Sequence, residues 1–260
     1  MDTTPHAVIV GLGQIGRTLG EGLLMAGYTV TPVLHGRPFP AGTGQAPVIV
    51  ATGEDDLAGA LAGLPGEWKD SSSVVLLQNE LLPSQWEPLG IRNPTIFVVW
   101  FERKPGQLIV SLRPSVVYGP QQEAVKAAMD CLALPCEVAP DAHEAMTQLI
   151  VKNVYIWATN IASLRTGGTT GELAKNHFAL VRALALEALQ VQESVMGQLF
   201  DTDAVMDQVV EALKADPTHR AGGRSAQRRL ERFLAHARQT GVAVPVAEEI
   251  AGEKGVAARP

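Results

Sequence analysis

The chain begins with an apolar, β-branched run that ends in three glycines and passes at once into a helical pattern, His6-Ala7-Val8-Ile9-Val10-Gly11-Leu12-Gly13-Gln14-Ile15-Gly16. Strand, G-x-G-x-x-G turn and helix, in that order, form a dinucleotide-binding fingerprint at the start of a doubly wound α/β sheet. Each glycine has its own task. Gly11 permits the tight turn, Gly13 lets backbone approach a pyrophosphate, and Gly16 lets helix and strand pack closely. Leu12, Gln14 and Ile15 complete the loop and first helical turn, where free N–H groups and the helix dipole favour phosphate. The alternative is a glycine-rich turn that binds nothing.

A length of 260 residues accommodates two modest domains. The net charge of −6 argues against nucleic acid or an anionic membrane as partner. Cys131 and Cys136 do not form C-x-x-C, and no His/Cys cluster has zinc spacing, so no metal site is expected. Reduced thiols fit a cytoplasmic protein. The first apolar run follows Asp2 without a basic segment, so no signal peptide is expected, and no apolar stretch approaches a membrane span.

The first helix is predicted over Gln14–Met25, closed by Gly27, and the second strand over Tyr28–Leu34. An acidic residue after that strand would take the ribose 2′-hydroxyl of NAD. His35 and Arg37 stand there instead, which points to a 2′-phosphate and NADP(H). A solvated loop arginine is the other reading. Further strands are predicted at Pro47–Ala51 and Val74–Gln78, with a helix opening at Gly53 between them. Asn79 follows the carboxyl end of the latter strand, where open parallel sheets bind ligands; a turn-forming asparagine is the alternative.

Thr95–Phe101, Gln107–Leu112 and Ser115–Tyr118 lie close enough to suggest an antiparallel extension of the parallel sheet. A helix over Gln121–Leu132 and an edge strand over Cys136–Val138 complete this half. The change from strand–helix alternation to helices sets expected domains of 1–139, a Rossmann-type sheet, and 140–260, all helical.

The helical half starts with Asp141–Ser163, opened by an Asp141/Glu144 capping box. Its apolar stripe includes Ile150, Val154, Trp157 and Ile161, and Gly167-Gly168 ends it. Phe178–Leu199, Asp201–Lys214, Ser225–Gln239 and Val246–Glu253 follow. Lys152 lies off the stripe, with Asn153 and Asn160 toward the same side. It is either a solvated helix lysine or a cleft lysine that protonates a carbonyl oxygen receiving hydride. Arg224, Arg228, Arg229 and Arg232 with Glu231 read as an exposed charged face.

Taken together, the order of parts resembles the ketopantoate reductase (2-dehydropantoate 2-reductase) family over nearly the whole chain. The glycine loop is shared with many families. More specific are Leu76-Leu77-Gln78-Asn79-Glu80, like a strand ending in an asparagine usually followed by glycine, and Lys152 with Asn160 eight residues on. Gly171-Glu172-Leu173 and the closing Gly241-Val242-Ala243-Val244-Pro245 add to it. The resemblance implies NADPH on the glycine loop, Lys152 as general acid, Asn79 near cofactor and substrate, and Asn160 on the substrate. The implied reaction reduces a small 2-oxo acid, ketopantoate foremost; a homodimer stays open.

There are departures. Ile156 stands where the family has an asparagine, Ser225 falls near its glutamate, and Gly53-Glu54 replaces a lysine after the third strand. Removing a buried hydrogen bond costs about 1–3 kcal/mol, enough to alter substrate choice. Two rivals therefore stand beside ketopantoate reduction: a relative acting on another carbonyl or imine, and an NADPH-binding protein without catalysis.

Overall fold

The computed structural model describes residues 4–41, 45–223 and 225–256. Gly42–Gly44 of the Gly/Pro-rich loop and Arg224 of the arginine cluster lie outside them. The chain forms two compact units, Met1–Gln148 and Leu149–Pro260.

In the first unit the elements run β1 (His6–Val10), α1 (Gln14–Met25), β2 (Thr29–Val33), β3 (Val48–Val50), α2 (Glu54–Ala62), α3 (Gly66–Asp70) and β4 (Val74–Leu76). After two single 3-10 turns come β5 (Thr95–Val98), β6 (Phe101–Glu102), β7 (Val110–Ser111), β8 (Ser115–Tyr118), α4 (Gln122–Cys131) and β9 (Cys136–Val138). Seven strands form one sheet in the order β2-β1-β3-β4-β5-β8-β9. The first five are parallel; β8 runs antiparallel to β5 and carries β9 parallel to itself. The chain leaves β1 for β2 on one side and β3 on the other. That reversal is the switch point where such sheets open a crevice at their carboxyl ends.

The sheet alternates as a two-sided core requires. Ala7, Ile9, Ile49, Val75, Phe97 and Val117 share one apolar cluster with Leu19 and Leu23 of α1 and Val125, Ala128 and Met129 of α4. The intervening Val8, Val48, Val50, Val74 and Leu76 are equally buried, with Leu57 and Leu61 of α2. Helices α1 and α4 meet at Gly22, where a methyl group would stand 2.5 Å from the Ala128 carbonyl.

The expected strand over Thr95–Phe101 divides. The Trp100 N–H donates to Ser115 Oγ at 2.9 Å and its carbonyl accepts from Leu112 at 2.8 Å. This turns Phe101–Glu102 out of the sheet to pair with Val110–Ser111 as a separate ribbon. Both cysteines are free, and burial pushes the Cys136 thiol up to about 12.

Helix α5 (Ala142–Thr166) starts where the sequence pattern changes, and the two compact units part within it, between Gln148 and Leu149. Asp141 Oδ1 accepts from the Glu144 N–H at 2.8 Å, but the Glu144 carboxylate takes Gln148 Nε2 rather than completing a capping box. The second unit continues with α6 (Thr170–Asn176), α7 (Phe178–Met196), α8 (Thr202–Ala215), α9 (Ala226–Thr240) and α10 (Pro245–Glu253). Helix α6 is too short for periodicity to announce it. Its capping box joins Thr169 and Glu172, and Gly171 is needed because a Cβ there would lie 2.7 Å from the Pro217 carbonyl. Leu173 is fully buried. Gly171-Glu172-Leu173 thus folds the unit. Among the described residues no helix is long and apolar enough to cross a membrane.

Helix α10 has no cap of its own, since Val244 precedes its Pro245. The buried Glu187 of α7 supplies one: its carboxylate accepts from the Val246 N–H at 2.7 Å and the Ala247 N–H at 3.1 Å. Burial raises its pKa despite both bonds. A raised carboxyl favours folding most below the unfolded value, and that contribution declines as pH rises through the folded value. Glu187→Ala strands two N–H groups and is expected to lower stability by about 1–3 kcal/mol, read from the urea midpoint. It should also flatten the fall in stability on raising pH from 4.5, the ordinary value for glutamate, through the folded pKa.

Candidate functional site

At the switch point of the first unit, the glycine loop borders an open cleft. Gly11 has φ +93°, and a Cβ on it would lie 2.9 Å from the Ala51 carbonyl. A Cβ on Gly16 would lie 2.1 Å from the Gly11 carbonyl. Protein packing therefore demands both. At Gly13, the N-cap that precedes α1, an added Cβ would meet nothing within 4 Å. That glycine leaves bare backbone facing open space at a helix N-terminus, the setting in which phosphate binds. Leu12 and Ile15 pack against the sheet core, so their side chains are structural, and Gln14 starts the helix.

A cleft of about 700 Å³ opens in front of this loop. Gly11, Leu12 and Gly13 form one wall, and His35 and Arg37, both exposed beyond β2, form another. Gly36 at φ +71° and the Arg37 N–H on the Leu34 carbonyl make the turn that presents them. Three polar side chains in the lining escaped the sequence reading. Asp55 and Asp56 enter from the first turn of α2, where they read as ordinary helix-start acids. Thr52 also lines the cleft, and its Oγ1 is buried with no hydrogen-bond partner among the described residues. Its position two residues after β3 at the switch point was the available signal. The bare loop, the unpaired Thr52 hydroxyl and the volume of the cleft fit a dinucleotide.

At the end of β4, Gln78 Nε2 donates to the Val50 carbonyl at 2.6 Å and the Thr52 carbonyl at 3.2 Å, pinning the two strand ends together. Asn79 Nδ2 donates to Glu54 Oε1 at 3.1 Å. A carboxylate only accepts, so this bond fixes the amide and leaves Asn79 Oδ1 as an acceptor. Glu80, where the resembled family has glycine, is buried at φ +63°, a left-handed conformation that a side chain adopts only at a cost.

In the second unit, Lys152, Asn153 and Asn160 of α5 are all buried, at 8, 0 and 5 % exposure. Lys152 is thus no solvated helix lysine. Asn160 Oδ1 accepts from Arg229 Nη1 at 2.8 Å, and its Nδ2 donates to the Ala221 carbonyl at 3.4 Å. The segment at Ala221 packs hard on α5: a Cβ on Gly222 would overlap Ser163 Oγ. Arg229 corrects the expectation of an exposed arginine face. It lies on the same side of α9 as the buried Phe233 and Ala237, four and eight residues on, and is itself only 8 % exposed. Arg228 is exposed, Glu231 and Arg232 are half-buried, and Ser225 precedes α9 without a side-chain cap bond. Among the described residues no group of His, Cys, Asp or Glu could hold a metal ion.

No protein-family model matches the sequence, and no curated protein matches it either. Solved structures do match. A 2-dehydropantoate 2-reductase from Methylococcus capsulatus superimposes with a TM-score of 0.69 over 96% of both chains, at 16% identity. The dimeric ketopantoate reductase of Staphylococcus aureus gives 0.65 at 14% identity, over 95% of this chain and 96% of that one. A D-mandelate dehydrogenase solved with NADH and anilino(oxo)acetate gives 0.69 at 16%, over 95% and 96%. The fold is that of the ketopantoate reductases. At these identities the likeness is one of fold, and the ketopantoate reductase fold accommodates at least one dehydrogenase of another name.

The glycine geometry separates two substitutions. Gly16→Ala is expected to destabilise the protein by about 1–3 kcal/mol through overpacking. Gly13→Ala should leave its melting temperature unchanged, since the added methyl touches nothing. Thermal melts of the two variants check this.

Proposed function

We propose that the protein is an NADPH-dependent reductase of a small 2-oxo acid, with ketopantoate the leading substrate. Residues 1–139 serve as its cofactor-binding domain and residues 140–260 as its substrate domain, in a cytoplasmic enzyme that assembles as a homodimer. The observation that carries this reading is Lys152, an ammonium buried on α5 eight residues before Asn160. Lysines are seldom buried, and one held largely out of water suits the task of a general acid. Protonating an alkoxide is that task.

The nucleotide, when bound, supplies hydride to the keto carbon. Gly11, Gly13 and Gly16, with the N–H groups of Leu12, Gln14 and Ile15, would hold its pyrophosphate. Arg37 with His35 would take the 2′-phosphate. Asn79, fixed by Glu54, offers Oδ1 to hydrogen donors of cofactor or substrate. Asn160 holds the substrate, and Lys152 gives a proton from Nζ to the carbonyl oxygen as it becomes an alcohol. The fold neighbours, ketopantoate reductases and a D-mandelate dehydrogenase bound to NADH, support an oxidoreductase.

One rival has a specific motive. Ile156 is half-buried in α5 and apolar, and Ser225 carries no charge. Both favour a carbonyl substrate with fewer polar groups than ketopantoate. A substrate panel separates the two.

Lys152→Met should lower kcat about 10²- to 10⁴-fold, the usual worth of a general acid, with NADPH affinity and melting temperature held. Full activity in that variant would refute Lys152 as the proton donor, whereas a parent protein that binds NADPH and reduces no 2-oxo acid would be a nucleotide-binding protein only. NADPH should bind more tightly than NADH in a fluorescence titration, and Arg37→Ala should remove the difference; equal affinities in the parent protein refute the role of Arg37. Gly13→Ala should weaken both.

A further inference from the structure

We infer that Arg229 is a positioning residue that fixes the hydrogen-bonding sense of Asn160, making it a donor-only contact for a substrate carboxylate. The inference rests on the reading of Asn160 as a substrate contact. A guanidinium has five N–H donors and no acceptor. Because Arg229 Nη1 lies 2.8 Å from the Asn160 amide, the atom facing it must be Oδ1. The amide cannot turn over without setting donor against donor. Nδ2 is thereby directed away from Arg229, and one of its hydrogens reaches the Ala221 carbonyl across 3.4 Å, near the limit for such a bond. The second hydrogen has no acceptor among the described residues, on a side chain only 5 % exposed. Buried donors of that kind are rare in folded proteins unless something outside the chain satisfies them.

What satisfies it must accept and need not donate. A carboxylate has acceptors only, and it gains from the buried cation behind the amide. An uncharged ester lacks that gain. Arg229 therefore acts through Asn160, raising the preference for the acid over its ester without touching the reacting atoms. Lysine in its place keeps a donor-only cation; methionine does not, and frees the amide to turn.

The test measures kcat/KM for a panel of 2-oxo acids, led by ketopantoate, and for their methyl esters, with acid binding followed in parallel by calorimetry. Arg229→Met should cut the acid-over-ester preference by roughly tenfold or more, chiefly through KM, as expected for weakened binding that ground and transition states share. Arg229→Lys should retain most of it. In an Asn160→Ala background Arg229→Met should cost little further, because coupled residues are not additive. The inference is overturned if Arg229→Met lowers acid and ester alike, or if its effect is undiminished without Asn160. If Arg229→Met does not fold, the Arg229→Lys ratio and the Asn160→Ala loss decide, and an Asn160→Ala protein with the parent's acid preference overturns it. A parent protein that neither binds nor reduces any 2-oxo acid refutes the proposed function, and this inference with it; a parent that prefers acids while the variants keep that preference refutes only the inference.

Discussion

The tightest constraint in the molecule is the missing side chain at Gly16. With the Gly11 carbonyl 2.1 Å from where its Cβ would be, α1 sits directly on the turn that ends β1. Six residues later Gly22 meets the Ala128 carbonyl almost as closely, so α1 is also held against α4. A helix clamped at two points has little freedom to swing. Its N-terminus, with the bare backbone of Gly13, is therefore aimed into the cleft by packing before any ligand arrives. Preorganisation of this kind spares a bound phosphate the cost of ordering its own cradle.

Two asparagines show the same economy in opposite senses. Asn79 is held by the Glu54 carboxylate and Asn160 by the Arg229 guanidinium. An amide is ambivalent, with one end accepting and the other donating. A charged neighbour of fixed character removes the ambivalence, so that one amide keeps its acceptor for use and the other its donor. Gly53-Glu54 stands where the resemblance implies a lysine, and a lysine bonded to the amide could only have turned Asn79 the other way. That departure, which in the sequence looked like a missing cation, defines what Asn79 can offer.

How far the sequence could be read follows from the range of the forces involved. The glycine loop, α1 from Gln14 to Met25 and the parallel strands all rest on neighbours within a few residues, and pattern reveals such neighbours. Thr95–Phe101 misled because the bonds that bend it come from Leu112 and Ser115, far along the chain. Arg229 misled for a stronger reason. Three other arginines nearby suggested a solvated face, and only the helical phase shared with Phe233 and Ala237 argued for burial. Glu187 gave no hint of capping a helix that starts 58 residues later, at Pro245. Glu80, at the place where the resemblance implies a glycine, is buried in the left-handed conformation that glycine would occupy without strain.

These cases explain how a fold can be shared at 16% identity while the substrate remains a separate question. The sheet needs β-branched residues at alternate positions, and Val, Ile and Leu serve interchangeably there. The helical unit needs small residues at a few crossings, such as Gly171 and Gly222, and apolar ones elsewhere. Such requirements are loose in identity and strict in pattern, so many sequences meet them. Selectivity is the reverse: it depends on a few buried polar groups whose donor or acceptor sense cannot be averaged over neighbours. Arg229, 8 % exposed and bonded to Asn160, is a buried polar group of that second class. Many chains can therefore share this fold while differing in the few buried polar groups on which selectivity depends.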